Sequence, residues 1–159
     1  MTAERDIMHL AQVNIARMRA PLDSVVMAGF VARLEEINAL ADRSPGFVWR
    51  LQSEAGDATY LRPYDDELIL FNLSVWQTVE ALRDYVYGTA HLELLRQRRA
   101  WFTRFDGAHL ALWWVPAGHQ PSVEEAKARL AHVAGYGPTP FAFTMNVVFP
   151  PDARHLVMP

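Results

Sequence analysis

The chain has 159 residues, of which 51% are hydrophobic and 21% charged, and it contains no cysteine. A formal net charge of −3 excludes the strong positive field typical of nucleic-acid-binding domains, and the lack of cysteine excludes disulfides and Cys-based zinc sites. No secretory signal is apparent, and no apolar run reaches the length of a membrane span. We therefore predict one cytoplasmic globular domain over residues 1–159, with its core at about 8–145 and a loosely ordered tail at 150–159.

The N-terminal part predicts a strand followed by a helix. Residues 8–16 alternate with the two-residue period of a strand, which places Gln12 and Asn14 on one face. Two neighbouring amides there indicate either a solvent-facing strand surface or a polar site. The helix carries an apolar stripe from Met27 to Ala41, and Gly29 within it suggests close approach of another backbone.

Two further strands are predicted in the middle of the chain, at 46–52 and 68–76. Asn72 lies on the more polar face of the second of these. The connection at 53–67 contains a possible partial strand at 59–62, and it either joins two antiparallel neighbours or covers a pocket.

A pair of helical segments follows. Thr78 is a suitable N-cap for the first, and the second extends over 90–105. When 90–105 is treated as one continuous helix, His91 and Arg98 fall near the middle of its apolar stripe. A buried arginine needs a carboxylate, a carbonyl or an anionic ligand, so this stripe is the first place to expect a pocket. The alternatives are an Arg98 that extends past the sheet to an acidic partner, and a His91 that is an ordinary core residue.

The strand predicted at 109–115 is apolar on both faces, so both of its faces need to be covered. One layer of helices covers only one face, and we therefore expect the sheet of a second subunit to cover the other. Ser122 and Glu125 form a capping box at the start of a third helix. A final strand is predicted at 141–149, either on the sheet edge or crossing to the partner.

The element order is strand, helix, strand, strand, helix pair, strand, helix, strand. The first six elements fit an α+β fold of the ferredoxin-like split βαβ type, an antiparallel sheet with helices on one face.

Several motifs resemble a bacterial family that carries a domain of unknown function in the dimeric α/β-barrel superfamily, similar to antibiotic-biosynthesis monooxygenases. The resemblance extends from about Leu10 to Thr144. The motifs that carry it are Asn72-Leu73-Ser74-Val75-Trp76 leading into Val79-Glu80-Ala81-Leu82, Pro45-Gly46-Phe47-Val48-Trp49-Arg50-Leu51, Trp101-Phe102, Leu112-Trp113-Trp114-Val115-Pro116-Ala117-Gly118-His119, Glu124-Glu125-Ala126-Lys127 and Gly137-Pro138-Thr139-Pro140.

This resemblance implies a homodimer whose two sheets face each other as a dimeric α/β barrel. Members of the superfamily include cofactor-free quinone-forming monooxygenases, which implies no cofactor, and haem-degrading monooxygenases, which makes haem the alternative. Asn14, Tyr85 and His91 occupy places comparable to those of a haem site. The chain departs from that pattern because Tyr85 stands where tryptophan is usual and the interval to His91 is shorter.

The function that the resemblance implies is a monooxygenase-like oxidoreductase acting on an aromatic or polycyclic small molecule. His91 is the candidate for proton transfer, since the pKa of histidine lies nearest neutrality, and Arg98 is the candidate for stabilising an anion. The alternative is a non-catalytic homodimeric module that binds a small ligand. The six histidines lack ligand spacing, so no metal site is predicted. The pocket would be lined by Trp76, Tyr85, Trp101, Trp114 and Asn72, with Asn14, His91 and Arg98 as polar anchors.

Overall fold

The computed structural model describes residues 7–52, 63–104 and 107–151. The predicted partial strand at 59–62 and most of the predicted tail lie outside these ranges. Within them the chain forms a five-stranded antiparallel sheet and five helices. The strands are β1 (Met8–Met18), β2 (Phe47–Arg50), β3 (Ile69–Trp76), β4 (Phe102–Thr103) and β5 (Leu110–Pro116); the helices are α1 (Ala28–Arg43), α2 (Val79–Val86), α3 (Thr89–Arg96), α4 (Arg98–Trp101) and α5 (Val123–Tyr136).

The central strand of the sheet is β1. It pairs with β3 on one side and with β5 on the other, and β2 lies outside β3. The short β4 pairs with the end of β1 at Arg17 and Met18, on the same side of β1 as β5. The strand order β2-β3-β1-β5, with every pair antiparallel, confirms the predicted ferredoxin-like α+β fold.

Alternation along β1 divides the sheet into two faces. The face that carries Ala11 and Val13 packs against α5 and is called the α5 face. The face that carries Leu10, Gln12 and Asn14 is called the amide face, and helices α1–α4 contribute apolar side chains to the clusters that cover it. The predicted layer of helices on one face is thus confirmed for α1–α4, and α5 adds a second layer on the opposite face.

Both faces of β5 are covered within the chain. Trp113 points to the α5 face and Leu112 to the amide face, and both are fully buried. The first lies in the cluster with α5, and the second lies in a cluster with Phe143 and residues of α2. The apolar character of β5 on both sides is as predicted, but the inference that it requires a second subunit is wrong. The homodimer itself stays a prediction.

The segment 141–149, called the C-terminal strap, does not form the predicted strand. It makes one isolated bridge to the sheet, in which Phe143 and Leu112 exchange both backbone hydrogen bonds at 2.8 Å, and a second bridge joins Ala142 to Thr139. The strap thereby crosses the outer edge of β5, from Phe141 in the cluster on the α5 face to Phe143 in the cluster on the amide face. Among the described residues, the pair between Phe143 and Leu112 is the only set of backbone hydrogen bonds between the strap and the sheet.

The predicted continuous helix at 90–105 is also wrong. The chain turns at Gln97, where α3 has ended and α4 has not yet begun. Because one helical axis does not extend through this turn, the wheel geometry that placed His91 and Arg98 on one stripe fails. Arg98 is exposed at the start of α4, whereas Trp101 at its end is buried.

The N-caps predicted at Thr78 and Ser122 are confirmed, whereas the Glu125 carboxylate of the predicted capping box accepts from Trp113 Nε1 and pairs with His119. The side chains of Thr78 and Ser122 each accept a hydrogen bond at 3.0 Å from the backbone N–H three residues on. Gly29 differs from the prediction, because a side chain approaches it instead of a backbone. Atoms of the Trp101 indole lie 3.3 Å from the position that a Cβ would occupy. In the described part of the chain, no helix is long and apolar enough to cross a membrane.

Candidate active site on the amide face

Four polar side chains of β1 and β3 form a hydrogen-bonded group, called the amide network. Gln12 Nε2 donates to Asn72 Oδ1 at 2.6 Å and to Ser74 Oγ at 2.8 Å. Asn14 Nδ2 donates to Gln12 Oε1 at 2.9 Å and to Asn72 Oδ1 at 3.3 Å. The strand register brings them together, since Gln12 lies opposite Ser74 and Asn14 opposite Asn72.

The amide network runs from a dry end to an open end. Gln12 and Ser74 are 3% and 6% exposed, whereas Asn14 is half-buried and Asn72 is exposed. The interpretation of this strand face as solvent-facing is therefore wrong for Gln12, and the alternative of a polar site fits. Buried polar groups normally find hydrogen-bond partners, and Gln12 finds all of its partners inside the network.

Three aromatic rings continue from the dry end of the network and are called the aromatic column: Trp76, Tyr85 and His91. Trp76 Nε1 donates to Ser74 Oγ at 2.9 Å, which ties the column to the network. The ring centroids of Trp76 and Tyr85 are 5.1 Å apart, and those of Tyr85 and His91 are 5.0 Å apart. Five of the predicted site residues, the column together with Asn14 and Asn72, thus form one connected group.

His91 is held in its neutral form. Burial lowers the pKa of His91, and hydrogen bonding to the backbone of Val86 opposes this shift in part. Its Nδ1 is buried and has no hydrogen-bond partner within the described residues. A buried nitrogen without a partner is costly, so it is a candidate for contact with a proton or a ligand.

An ion pair that the sequence did not single out also lies on the amide face. Arg50 is opposite Ser74 in the β2–β3 ladder, and its Nε donates to Asp42 Oδ1 of α1 at 2.8 Å. Burial raises the pKa of Tyr85 to about 12, with Asp42 adding to the shift and Arg50 opposing it. Tyr85 therefore remains an uncharged phenol, and its hydroxyl lies 3.5 Å from the carbonyl oxygen of Ile37.

Of the remaining predicted site residues, Arg98 and Trp101 lie away from the amide network, and Trp114 packs in the cluster that contains Trp76. Arg98 is exposed, so the inference that it lies on a buried stripe is wrong, and its role with an anion stays a prediction. Trp101 packs in a separate cluster with Phe30, at a ring distance of 5.6 Å. Trp114 lies beneath the C-terminal strap, where its Nε1 donates to the carbonyl oxygen of Phe149 at 2.8 Å.

An open depression of about 530 Å³ lies beside α5, on the opposite side of the sheet. It is lined by Tyr64 and Lys127 together with alanines of α5, and it contains none of the predicted site residues. Lys127 is already engaged there, since its Nζ donates to the carbonyl oxygen of Pro63 at 2.7 Å and lies over the Tyr64 ring. The polar groups of the amide network and the neutral histidine make the amide face the better candidate. Among the described residues, no three His, Asp or Glu side chains come together as a metal site.

The chain matches the model of a family described as a domain of unknown function, DUF3291, over residues 9–157. It belongs to the DUF3291 family. No curated protein matches this DUF3291 chain.

Several solved structures share features of the fold. SnoaB from Streptomyces nogalater, a cofactor-independent oxygenase, is 20% identical over 70% of this chain and 95% of its own, with a TM-score of 0.46. A Nitrosomonas europaea protein described as an antibiotic biosynthesis monooxygenase is 13% identical over 73% and 95%, with a TM-score of 0.47. A Chloroflexus aurantiacus J-10-fl protein of the same description is 11% identical over 72% and 98%, with a TM-score of 0.44. None is similar enough to transfer an activity.

Proposed function

We propose that this DUF3291 protein is a monooxygenase-like oxidoreductase that acts on an aromatic or polycyclic small molecule at the amide face. The observation that carries the proposal is the contact between the amide network and the aromatic column. The half-buried rings of Tyr85 and His91 provide stacking surface for a planar substrate, and a small number of placed amides fixes the position of its oxygen substituents. The exposed Asn72 marks the side from which a substrate reaches the site.

The chemistry that suits these residues begins with loss of a proton from a carbon next to a carbonyl group. His91 is the proposed base, because its ring is neutral and its buried Nδ1 carries no hydrogen bond among the described residues, so a substrate that displaces the side chains around this nitrogen meets a free acceptor. The resulting carbanion is electron-rich enough to react with dioxygen directly. In the case of anthrone, the ring CH₂ loses two hydrogens and gains one oxygen atom, and anthraquinone and one water molecule are formed from anthrone and O₂.

The residues that resemble a haem site do not fit haem as they are placed. Tyr85 packs against the His91 ring with a centroid distance of 5.0 Å, and Trp76 packs against Tyr85 in turn at 5.1 Å, so these rings fill the space beside one another. A haem needs an open slot for its flat macrocycle beside the histidine that holds the iron, and the packed rings leave no such slot between them. We therefore propose no step through haem.

A second candidate function is a non-catalytic module that binds the same class of molecule. It is favoured by the packing of Tyr85 between the rings of Trp76 and His91, because this packing gives the aromatic column a structural role of its own. Homodimer formation is compatible with both functions.

The test is oxygen uptake with anthrone, followed together with the absorbance of anthraquinone and corrected for spontaneous oxidation. We expect the protein to accelerate the reaction and His91→Gln to lower kcat by about 10²-fold or more, the usual contribution of a general base. The matched control is His119→Gln, since His119 pairs with Glu125 away from the amide network. Oxidation no faster than in buffer would leave only the binding module, and an unchanged rate in His91→Gln would remove His91 as the base.

A further inference from the structure

We infer that Gln12 is a positioning residue that decides which hydrogen-bonding groups of the amide network face a ligand. The inference rests on the proposed function for the location of the ligand, but it does not require turnover. Gln12 is 3% exposed, so it is too deep to be a principal ligand contact itself. Its effect on a ligand has to pass through its neighbours Asn14 and Asn72.

The hydrogen bonds of Gln12 use its whole amide. A glutamine side chain has two N–H donors and one carbonyl acceptor. The donors go to Asn72 Oδ1 and Ser74 Oγ, and the carbonyl accepts from Asn14. If Asn72 alone turned its amide over, its N–H donors would face those of Gln12, and a buried donor would lose its partner. Gln12 therefore holds both asparagines in one orientation.

The network continues at its dry end to Trp76. An indole N–H can only donate, so Ser74 Oγ accepts from Trp76 at 2.9 Å as well as from Gln12 at 2.8 Å. Both bonds run toward the same oxygen. The directions of all the hydrogen bonds in the network agree with one another, from Trp76 to the open end at Asn72.

The polar groups of Asn14 and Asn72 that make no hydrogen bond within the network are the ones available to a ligand at the open end. Asn72 Oδ1 accepts from both Gln12 and Asn14, and within the described residues Asn72 Nδ2 makes no hydrogen bond. The two N–H groups of Asn14 are also occupied, which leaves its Oδ1 as an acceptor. The exposed end thus presents the paired donors of Asn72, and these suit a carbonyl or enolate oxygen on the ligand.

Changing Gln12 to glutamate should reverse which side of the Asn72 amide faces the ligand. A carboxylate only accepts hydrogen bonds, so it would draw the Nδ2 of Asn72 inward and turn its Oδ1 toward the ligand. The site would then favour a hydroxyl group over a ketone. Methionine at position 12 has a similar length and no donor, so it would release both asparagines without imposing the opposite orientation.

Three tricyclic probes of the same shape separate these cases: fluorene has no polar group, 9-fluorenone has only an acceptor, and 9-fluorenol has a hydroxyl. Binding is measured by quenching of tryptophan fluorescence and by calorimetry. We expect the native protein to bind 9-fluorenone about five- to tenfold more tightly than fluorene, which is the worth of about one neutral hydrogen bond. In Gln12→Glu the ratio should fall to about one, and 9-fluorenol should bind better than 9-fluorenone.

The matched control is Gln77→Glu, which makes the same chemical change at an exposed position just after β3. It should keep the native order of the three probes. Should Gln12→Glu fail to fold, Gln12→Met decides the matter, and its preference for 9-fluorenone over fluorene should fall below about twofold while its affinity for fluorene is kept. A merely structural role for Gln12 would weaken all three probes alike.

The inference is overturned if the native protein binds the three probes equally or not at all, or if a folded Gln12 variant keeps the preference for the ketone. The outcome for the proposed function is separate. Discrimination by Gln12 without oxidation of anthrone would support the inference and refute the oxidoreductase. Oxidation of anthrone without discrimination between the probes would refute the inference alone.

Discussion

Replacing Phe143 by alanine tests whether the C-terminal strap covers β5 in place of a second subunit. Phe143 is fully buried and packs in the cluster that contains Leu112 and Trp114. Its backbone bonds to Leu112 survive the change, so the loss is one of packing alone. Truncation of a buried phenylalanine costs about 3–5 kcal/mol. For a chain of this size that corresponds to a decrease in Tm of about 6–20 °C.

The assay is urea unfolding followed by tryptophan fluorescence at several protein concentrations. The matched control is Val147→Ala in the same strap, where the side chain is 46% exposed and the expected cost is within about 0.5 kcal/mol. A loss below about 1 kcal/mol in Phe143→Ala would show that the strap does not hold the core. A native midpoint that rises with protein concentration would show that a partner subunit contributes to the cover instead.

Three other predictions concern backbone strain and pH. Gly46 has φ +82° and a Cβ there would lie 2.5 Å from Ala81 Cβ, whereas Gly118 has φ +92° and no atom within 4 Å of such a Cβ. Backbone strain should lower the free energy of unfolding of both alanine variants by about 1–3 kcal/mol. In urea unfolding Gly46→Ala should lose more than Gly118→Ala, and equal losses would contradict the contact with Ala81. The pKa of Tyr85 is raised to about 12 in the folded state. The Tyr85 phenol therefore contributes on the order of 2 kcal/mol to the free energy of unfolding below about pH 10, and this contribution is lost as pH rises toward 12. Tyr85→Phe should flatten the decrease in the urea midpoint between pH 8 and 11, and an unchanged slope would contradict this. Burial lowers the pKa of His91, so its contribution to the free energy of unfolding should be kept above about pH 6.5 and lost as pH falls below it. His91→Gln should therefore show a smaller decrease in Tm between pH 7.5 and 5 than the native protein. An equal decrease in Tm would show that the ring is not buried.

Local patterns predicted most of the secondary structure. Strand alternation and N-capping depend on residues close in sequence, and β1, β3, β5 and the starts of α2 and α5 were predicted from them. The break at Gln97 was missed because no glycine or proline marks it. That one turn moved Arg98 from a predicted buried stripe to the surface.

The sequence did not predict which face of the sheet α5 covers, or that the C-terminal strap crosses the edge of β5. Nothing in the pattern of α5 specifies which side of the sheet it packs on, and the alternation at 141–149 is the same for a strand and for a strap. These choices depend on contacts between residues far apart in the chain.

The candidate site was predicted in part for a similar reason. Gln12 and Asn14 were placed on one face by alternation, and Asn72 belongs to a motif of the family resemblance. The hydrogen bonds among them depend on the register between β1 and β3, which a single sequence does not determine. Arg50 was missed because its place opposite Ser74 and its pairing with Asp42 depend on how β2 pairs with β3 and packs near α1, which a single sequence does not determine.

The position of β5 in the chain has a consequence during synthesis. The run Leu110-Ala111-Leu112-Trp113-Trp114-Val115 is uncharged and rich in strand-forming residues, the composition of an aggregation-prone segment. Much of the cover on both of its faces, α5 and the C-terminal strap, is made after it. The emerging chain therefore exposes this run until residues up to about 143 have left the ribosome, at about 5–20 residues per second. We expect chains that stop before the strap to aggregate rather than to fold into a smaller version of the domain.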